Sequence, residues 1–130
     1  MKITGCRTLH CDAGWRNFSF LKLQTDDGLV GISEYNESYG SKGLTAVIEA
    51  LVDAITGDDP CRHEFVSQKL YAMTRQAHGG LNQQAIAAIE NAMLDIKAKS
   101  LNVPVYDLLG GAVRTELPLY WSHCGTYRMS

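Results

Sequence analysis

The chain has 130 residues, 45% of them hydrophobic and 20% charged, with 12 basic against 14 acidic side chains and a formal net charge of −2. This is one-domain length and ordinary globular composition, able to bury roughly two-thirds of the unfolded surface. The scattered basic residues exclude an electrostatic footprint for nucleic acid, the short apolar runs exclude a membrane-spanning helix of ~20 residues, and the broken N-terminal pattern MKITGCRTLHCDAG carries no signal-peptide core, so a cytoplasmic protein is expected.

Residues 1–9, with Ile3, Thr8 and Leu9, read as a first strand. Residues 18–25 form a second, cleaner one: Phe18, Phe20, Leu21 and Leu23 stand among Ser19, Lys22 and Gln24 near a period of two. Asp26-Asp27-Gly28 supplies turn chemistry, and residues 29–34 resume as a third strand. An antiparallel meander is the expected result.

Helices follow. Leu44, Val47, Ile48, Leu51, Val52 and Ile55 recur at steps of three and four, and Gly57 is placed to close that helix. Asp59-Pro60 opens a second, because Asp accepts free backbone N–H groups and Pro fits a first turn. Its apolar residues are Phe65, Val66, Leu70 and Met73, and it breaks at His78-Gly79-Gly80. From Asn82 a third helix shows Ala85, Ile86, Ile89, Ala92, Met93 and Ile96 on one face, the alanines allowing close approach of a neighbour. PVYDLLGG, residues 104–111, reads as a short helix ending on a glycine pair, and residues 117–121 as a short strand followed by a loop. Strands first and helices afterwards make an α+β fold: a three-stranded antiparallel meander followed by a helical bundle.

Few residues point to local chemistry. Cys6, Cys11, Cys61 and Cys124 form no CxxC pair and read as free, half-buried thiols. His10-Cys11 and His123-Cys124 do not have zinc-site spacing. Asp26-Asp27 and Asp58-Asp59 are explained by a turn and a helix start, and Glu34 with Glu37 lack a third ligand, so no metal site is assigned. His63 and His78 read as ordinary helix and loop residues.

The run AAIENAMLDIKAKSLNVPVYDLLGG, together with the meander before it, resembles the N-terminal capping domain of the enolase superfamily, in its mandelate racemase/muconate lactonizing enzyme branch. The matching positions are Ala92, Asp95, Ile96, Lys99, Pro104, Val105, Leu108, Leu109, Gly110 and Gly111, with GISE at residues 31–34 and GDDP at 57–60 in support. The resemblance implies a capping domain over residues 1–112, and over 113–130 the first strand and loop of a (β/α)8 barrel. A whole barrel takes about 250 residues. The chain is therefore expected to be a fragment, a truncated gene product or a partial structure, inactive alone.

The resemblance further implies abstraction of the proton α to a carboxylate, with Mg²⁺ stabilising the enediolate. The Mg²⁺ ligands and the base would lie on later barrel strands, so no catalytic or metal residue is expected here. The cap would contribute two loops that close over the barrel mouth, at residues 11–17 and 35–43. Trp15, Arg16 and Tyr39 are the substrate-facing candidates on these loops, the alternative for each being a plain surface residue. His123, just past the expected barrel strand, is a fourth candidate; a structural histidine is the alternative.

The polar, aromatic lid favours a sugar acid as substrate, hence a dehydratase, acting as a homo-oligomeric full-length enzyme without nucleic-acid or membrane partners. Racemisation, epimerisation and cycloisomerisation stay open. So does a different class, a standalone α+β binding module without catalysis.

Overall fold

Three strands open the chain, β1 (Ile3–Asp12), β2 (Asn17–Thr25) and β3 (Val30–Tyr35), paired antiparallel in the order β1-β2-β3. The computed structural model describes residues 1–14, 16–38 and 40–120. Alternation along β2 divides its side chains: Ser19, Leu21, Leu23 and Thr25 are buried on the face toward the helices, while Phe18, Phe20 and Lys22 lie half-buried on the other. The first strand runs farther than its untidy alternation suggests, because backbone pairing continues through Cys11↔Phe18 and Asp12↔Asn17. Tyr35 likewise pairs with Ser19. The intervening loops therefore shorten to residues 13–16 and 36–43.

The helices are α1 (Leu44–Ile55), α2 (His63–Met73), α3 (Gly80–Leu101) and the single turn α4 (Val105–Leu108). Gly57 has the left-handed φ of 91° expected of a helix stop. Its N–H, however, donates to the carbonyl of Ile3 at 2.8 Å, and Ile3 N–H donates to Asp58 at 2.9 Å, so the stop also ties α1 to β1. Asp59 accepts the Cys61 N–H at 3.0 Å and Pro60 occupies the first turn, but that turn is a 3-10 segment (Pro60–Arg62) and α2 proper begins at His63.

One expectation for α2 is corrected. Val66, Ser67 and Leu70 face the core, whereas Phe65 and Met73 are each 52% exposed. Phe65 lies about 100° round the helix from Val66, and Met73 sits in the last turn, at the margin of the stripe. The Arg62 guanidinium covers the Phe65 ring at 4.4 Å. Cys6 and Cys61 are half-buried, but Cys11 is exposed near the open end of the sheet.

The core lies between the sheet and α1 and α3. It gathers Leu21 and Leu23 from β2, Ile48, Val52 and Ile55 from α1, and Ile89, Met93 and Ile96 from α3, all fully buried. All six expected apolar residues of α3 are buried. Where α3 crosses β3 the backbones nearly touch: a Cβ on Gly31 would lie 2.0 Å from the Ala92 carbonyl oxygen and 2.8 Å from Ile96 Cγ1.

The open edge of β3 is covered there by side chains. Asp95 accepts the Ile32 N–H at 2.8 Å, Lys99 donates to the Val30 carbonyl at 2.8 Å, and the two pair with each other at 2.7 Å. An edge strand is otherwise a template for pairing with another chain. The AxxDIxxK spacing thus has a structural explanation: Ala92 and Ile96 face Gly31, and Asp95 and Lys99 meet the strand's free polar groups.

After α4 the glycine pair turns the chain, with φ of 104° at Gly110 and 91° at Gly111, and Gly111 N–H donates to Tyr106 at 2.9 Å. Residues 117–120 do not pair with the three-stranded sheet; Leu119 is 93% exposed.

Candidate functional site: a two-loop lid

Both loops rise from the same end of the sheet. The first begins where Asp12 leaves β1: its carboxylate accepts the Gly14 N–H at 2.8 Å, and Ala13 N–H donates to the Arg16 carbonyl at 3.0 Å, which closes a tight turn. Arg16 donates to Glu34 Oε1 at 2.9 Å and lies over the Phe18 ring at 3.9 Å. This guanidinium is held along the outer face of the sheet, with its side chain one-third exposed.

The second loop leaves β3 at Tyr35. Ser38 N–H donates to Asn36 Oδ1 at 2.9 Å, and Ser41 donates to Gln84 of α3 at 2.9 Å. Its anchor is Glu37. Residue 43, the N-cap of α1, is a glycine and offers no capping side chain. Glu37 takes over that role, accepting the N–H groups of Gly43 at 2.9 Å and Thr45 at 3.3 Å and the Thr45 hydroxyl. The Tyr35 and Thr45 hydroxyls share a further hydrogen bond of 2.8 Å. Burial raises the Glu37 pKa, but the hydrogen bonds from Thr45 and Gly43 and the nearby His10 outweigh it, and the net displacement is downward.

Between the loops lies a polar cavity of about 210 Å³ lined by His10, Asn17, Ser19, Glu37 and Ser38. His10 Nδ1 and the Ser19 hydroxyl are 3.0 Å apart, and the imidazole meets the Tyr35 ring edge-on at 6.3 Å. Of the four substrate candidates, Arg16 is seen on the first loop; Trp15, Tyr39 and His123 lie outside the described residues. Sequence reasoning missed His10, Ser19 and Thr45. Ser19 did leave a signal: it is a hydroxyl on the buried face of β2, where Leu21 and Leu23 continue the pattern.

A potential metal-coordinating group, missed in the sequence, joins α2 to α3. Ligand atoms of His63, Glu64 and Glu90 lie within 4.8 Å of one another, with His63 Nε2 3.8 Å from Glu64. It does not fit Mg²⁺, which takes oxygen ligands in near-octahedral array. One imidazole and two carboxylates suit a borderline ion better, and the group belongs to α2 and α3, away from both loops. No step through Mg²⁺ follows from these residues.

The model of the mandelate racemase / muconate lactonizing enzyme N-terminal domain matches residues 10–110. The chain belongs to that family. It is a capping domain of the enolase superfamily. A crystal structure from Burkholderia xenovorans strain LB400, provisionally named an L-alanine-DL-glutamate epimerase, superimposes with a TM-score of 0.91 at 53% identity, covering 98% of this chain and 32% of that one. The same protein has been seen with magnesium and fumarate.

D-galactonate dehydratase of Xanthomonas euvesicatoria pv. vesicatoria is 38% identical over 120 residues, 92% of this chain and 31% of the relative. A structure from Agrobacterium radiobacter, provisionally named a galactarate dehydratase and holding sodium and L-malate, has a TM-score of 0.80 at 37% identity, covering 88% of this chain and 29% of that one. The capping domain thus spans about a third of the length of each of these relatives. Among the described residues, no helix is long and apolar enough to cross a membrane.

Proposed function

We propose that this capping domain, over residues 1–112, closes the active site of a cytoplasmic, homo-oligomeric, Mg²⁺-dependent acid-sugar dehydratase, and that residues 113–130 begin its barrel. In this reading the enzyme abstracts the proton α to a carboxylate. Residues of this chain exclude water and orient the substrate, with Trp15, Arg16, Tyr39 and His123 in contact with it. The observation that carries it is the pair of polar loops at one sheet end, framing a cavity of hydroxyl, amide, imidazole and carboxylate groups. That lining suits a polyhydroxylated acid, and the D-galactonate dehydratases are relatives of that chemistry.

Arg16 has a ready alternative partner in this scheme. Its bond to Glu34 is partly exposed, so a substrate carboxylate can compete with Glu34 for the guanidinium. Exposed apolar side chains over residues 106–117 also support the reading over a standalone module: Tyr106, Val113 and Leu117 line an open cleft of about 540 Å³, and Val113 is 97% exposed.

The full-length protein, incubated with Mg²⁺ and a panel of acid sugars, is expected to release a 2-keto-3-deoxy acid from at least one of them. A second reading, epimerisation of a dipeptide, is favoured by the 53% identity to the Burkholderia protein. Deuterium uptake at the glutamate α-carbon of L-Ala-L-Glu, without dehydration of any sugar acid, would replace the first reading with the second.

A further inference from the structure

We propose that Glu37 is a positioning residue for the lid: its carboxylate sets the resting place of the loop over residues 36–43. The inference rests on the reading of that loop as a lid. Helix α1 starts at Leu44 behind a glycine with φ of 89°, which cannot cap it through a side chain. The first-turn N–H groups need acceptors. Glu37, six residues upstream of Gly43, supplies them from the far side of the loop. The carboxylate therefore does two things with one set of bonds: it terminates α1, and it pins the two ends of the loop together.

A second chain of bonds reinforces the first. Tyr35 closes β3, its hydroxyl bonds to Thr45, and Thr45 bonds in turn to Glu37. The strand end, the loop and the first turn of α1 are thus held at one point. Tyr35 is 93% buried at the residue level (7% exposed), so this point is anchored in the core. The loop beyond this point is tied to the rest of the domain at Ser41, whose hydroxyl donates to Gln84 and whose carbonyl accepts the Leu44 N–H at 3.1 Å. Glu37 also borders the cavity shared with His10, Asn17 and Ser19 of the hairpin, so displacing it changes the gap between the loops.

Glu37→Ala removes the bonds to Gly43 and Thr45, while Glu37→Gln keeps one carbonyl oxygen for the N–H groups and loses the charge. Hydrogen–deuterium exchange on the chain is expected to speed up at Gly43 and Thr45 by roughly ten- to hundredfold in Glu37→Ala, the range for losing a charge-assisted hydrogen bond, and by less in Glu37→Gln. Strands β1 and β2 should exchange as in the parent. In the full-length enzyme KM for the carboxylate substrate should rise about tenfold or more, with kcat within about threefold, because the lid's resting position changes and the reacting groups do not.

Unchanged exchange over residues 36–45 would overturn the proposal, as would acceleration spread evenly over the sheet, or a fall in kcat with KM unmoved. The exchange arm reads Glu37 even where no turnover is found. Failure of the dehydratase reading and failure of this one are therefore separate results.

Discussion

The carboxylate of Asp95 on α3 accepts the backbone N–H of Ile32 on β3 at 2.8 Å, joining residues 63 positions apart. The same oxygen pairs with Lys99, whose ammonium group continues to the Val30 carbonyl. A helix thus satisfies an edge strand by its side chains. Asp95→Ala leaves the Ile32 N–H without its acceptor and Lys99 without its partner. The expected loss is about 2 kcal/mol of stability in urea unfolding, with Asp95→Asn losing less. Asp95→Ala combined with Lys99→Met should lose less than the sum of the two, since both remove one shared bond. Strict additivity would show that the two residues act separately.

Gly31 and Gly28 make a paired test of why a glycine is needed. At Gly31 an added methyl would lie 2.0 Å from backbone oxygen of Ala92, so α3 must leave the sheet. At Gly28 there is open space, and only the left-handed φ of 86° opposes a side chain. Gly31→Ala is expected to cost about 3 kcal/mol or more, enough to leave a marginal domain unfolded, and Gly28→Ala about 1–2 kcal/mol. Thermal melts of the two variants check the order. A well-folded Gly31→Ala protein would mean the α3–β3 contact yields more readily than its geometry implies.

Cys6 is expected to resist modification. Burial, then the carboxylates of Glu49 and Asp53, push its pKa from 9.0 up to about 11. At pH 8 it holds roughly a hundredth of the thiolate of an ordinary thiol, and thiolate is the reactive form. Mass spectrometry after brief iodoacetamide treatment should find Cys11 carbamidomethylated well before Cys6. The native state holds this proton more tightly than the unfolded chain. Its contribution to stability is therefore complete below pH 9 and disappears as pH rises through about 11.

Glu37 gives the opposite slope. Its carboxyl is displaced below the ordinary 4.5, so its contribution is present above that value and is lost as pH falls through the lower folded pKa. Amide signals of Gly43 and Thr45 should hold their positions from pH 7 to near 4.5 and move below it, with the Glu37→Gln protein showing no such step. A flat profile in the parent chain would mean that the carboxylate does not cap α1 in solution.

Element types were legible in the sequence wherever one local period dominated. The α1 stripe from Leu44 to Ile55 and the α3 stripe from Ala85 to Ile96 are read directly, because a 3.6-residue repeat places every apolar side chain on one side. The α2 face was misread at Phe65 and Met73, where half-exposed apolar residues outside the contact look the same in sequence as buried ones inside it. The end of β1 was missed because its last residues are held by pairing with β2 and carry no apolar alternation. At the site, the two loops were legible as glycine-bearing polar segments. The roles of Glu34 and Glu37 were not, since nothing near either residue in sequence names Arg16 or Gly43 as its partner.

From sequence alone came the α+β order, the helical faces and the family resemblance, since each depends on residues within a turn or two of one another. Only the folded chain could show that the signature of α3 is a cover for a strand edge, or that a glutamate beyond the strand serves as the cap of the next helix. The α3 bonds join groups more than sixty residues apart, and the Glu37 bonds depend on how the loop folds back onto α1; both arrangements are settled by packing the whole core at once.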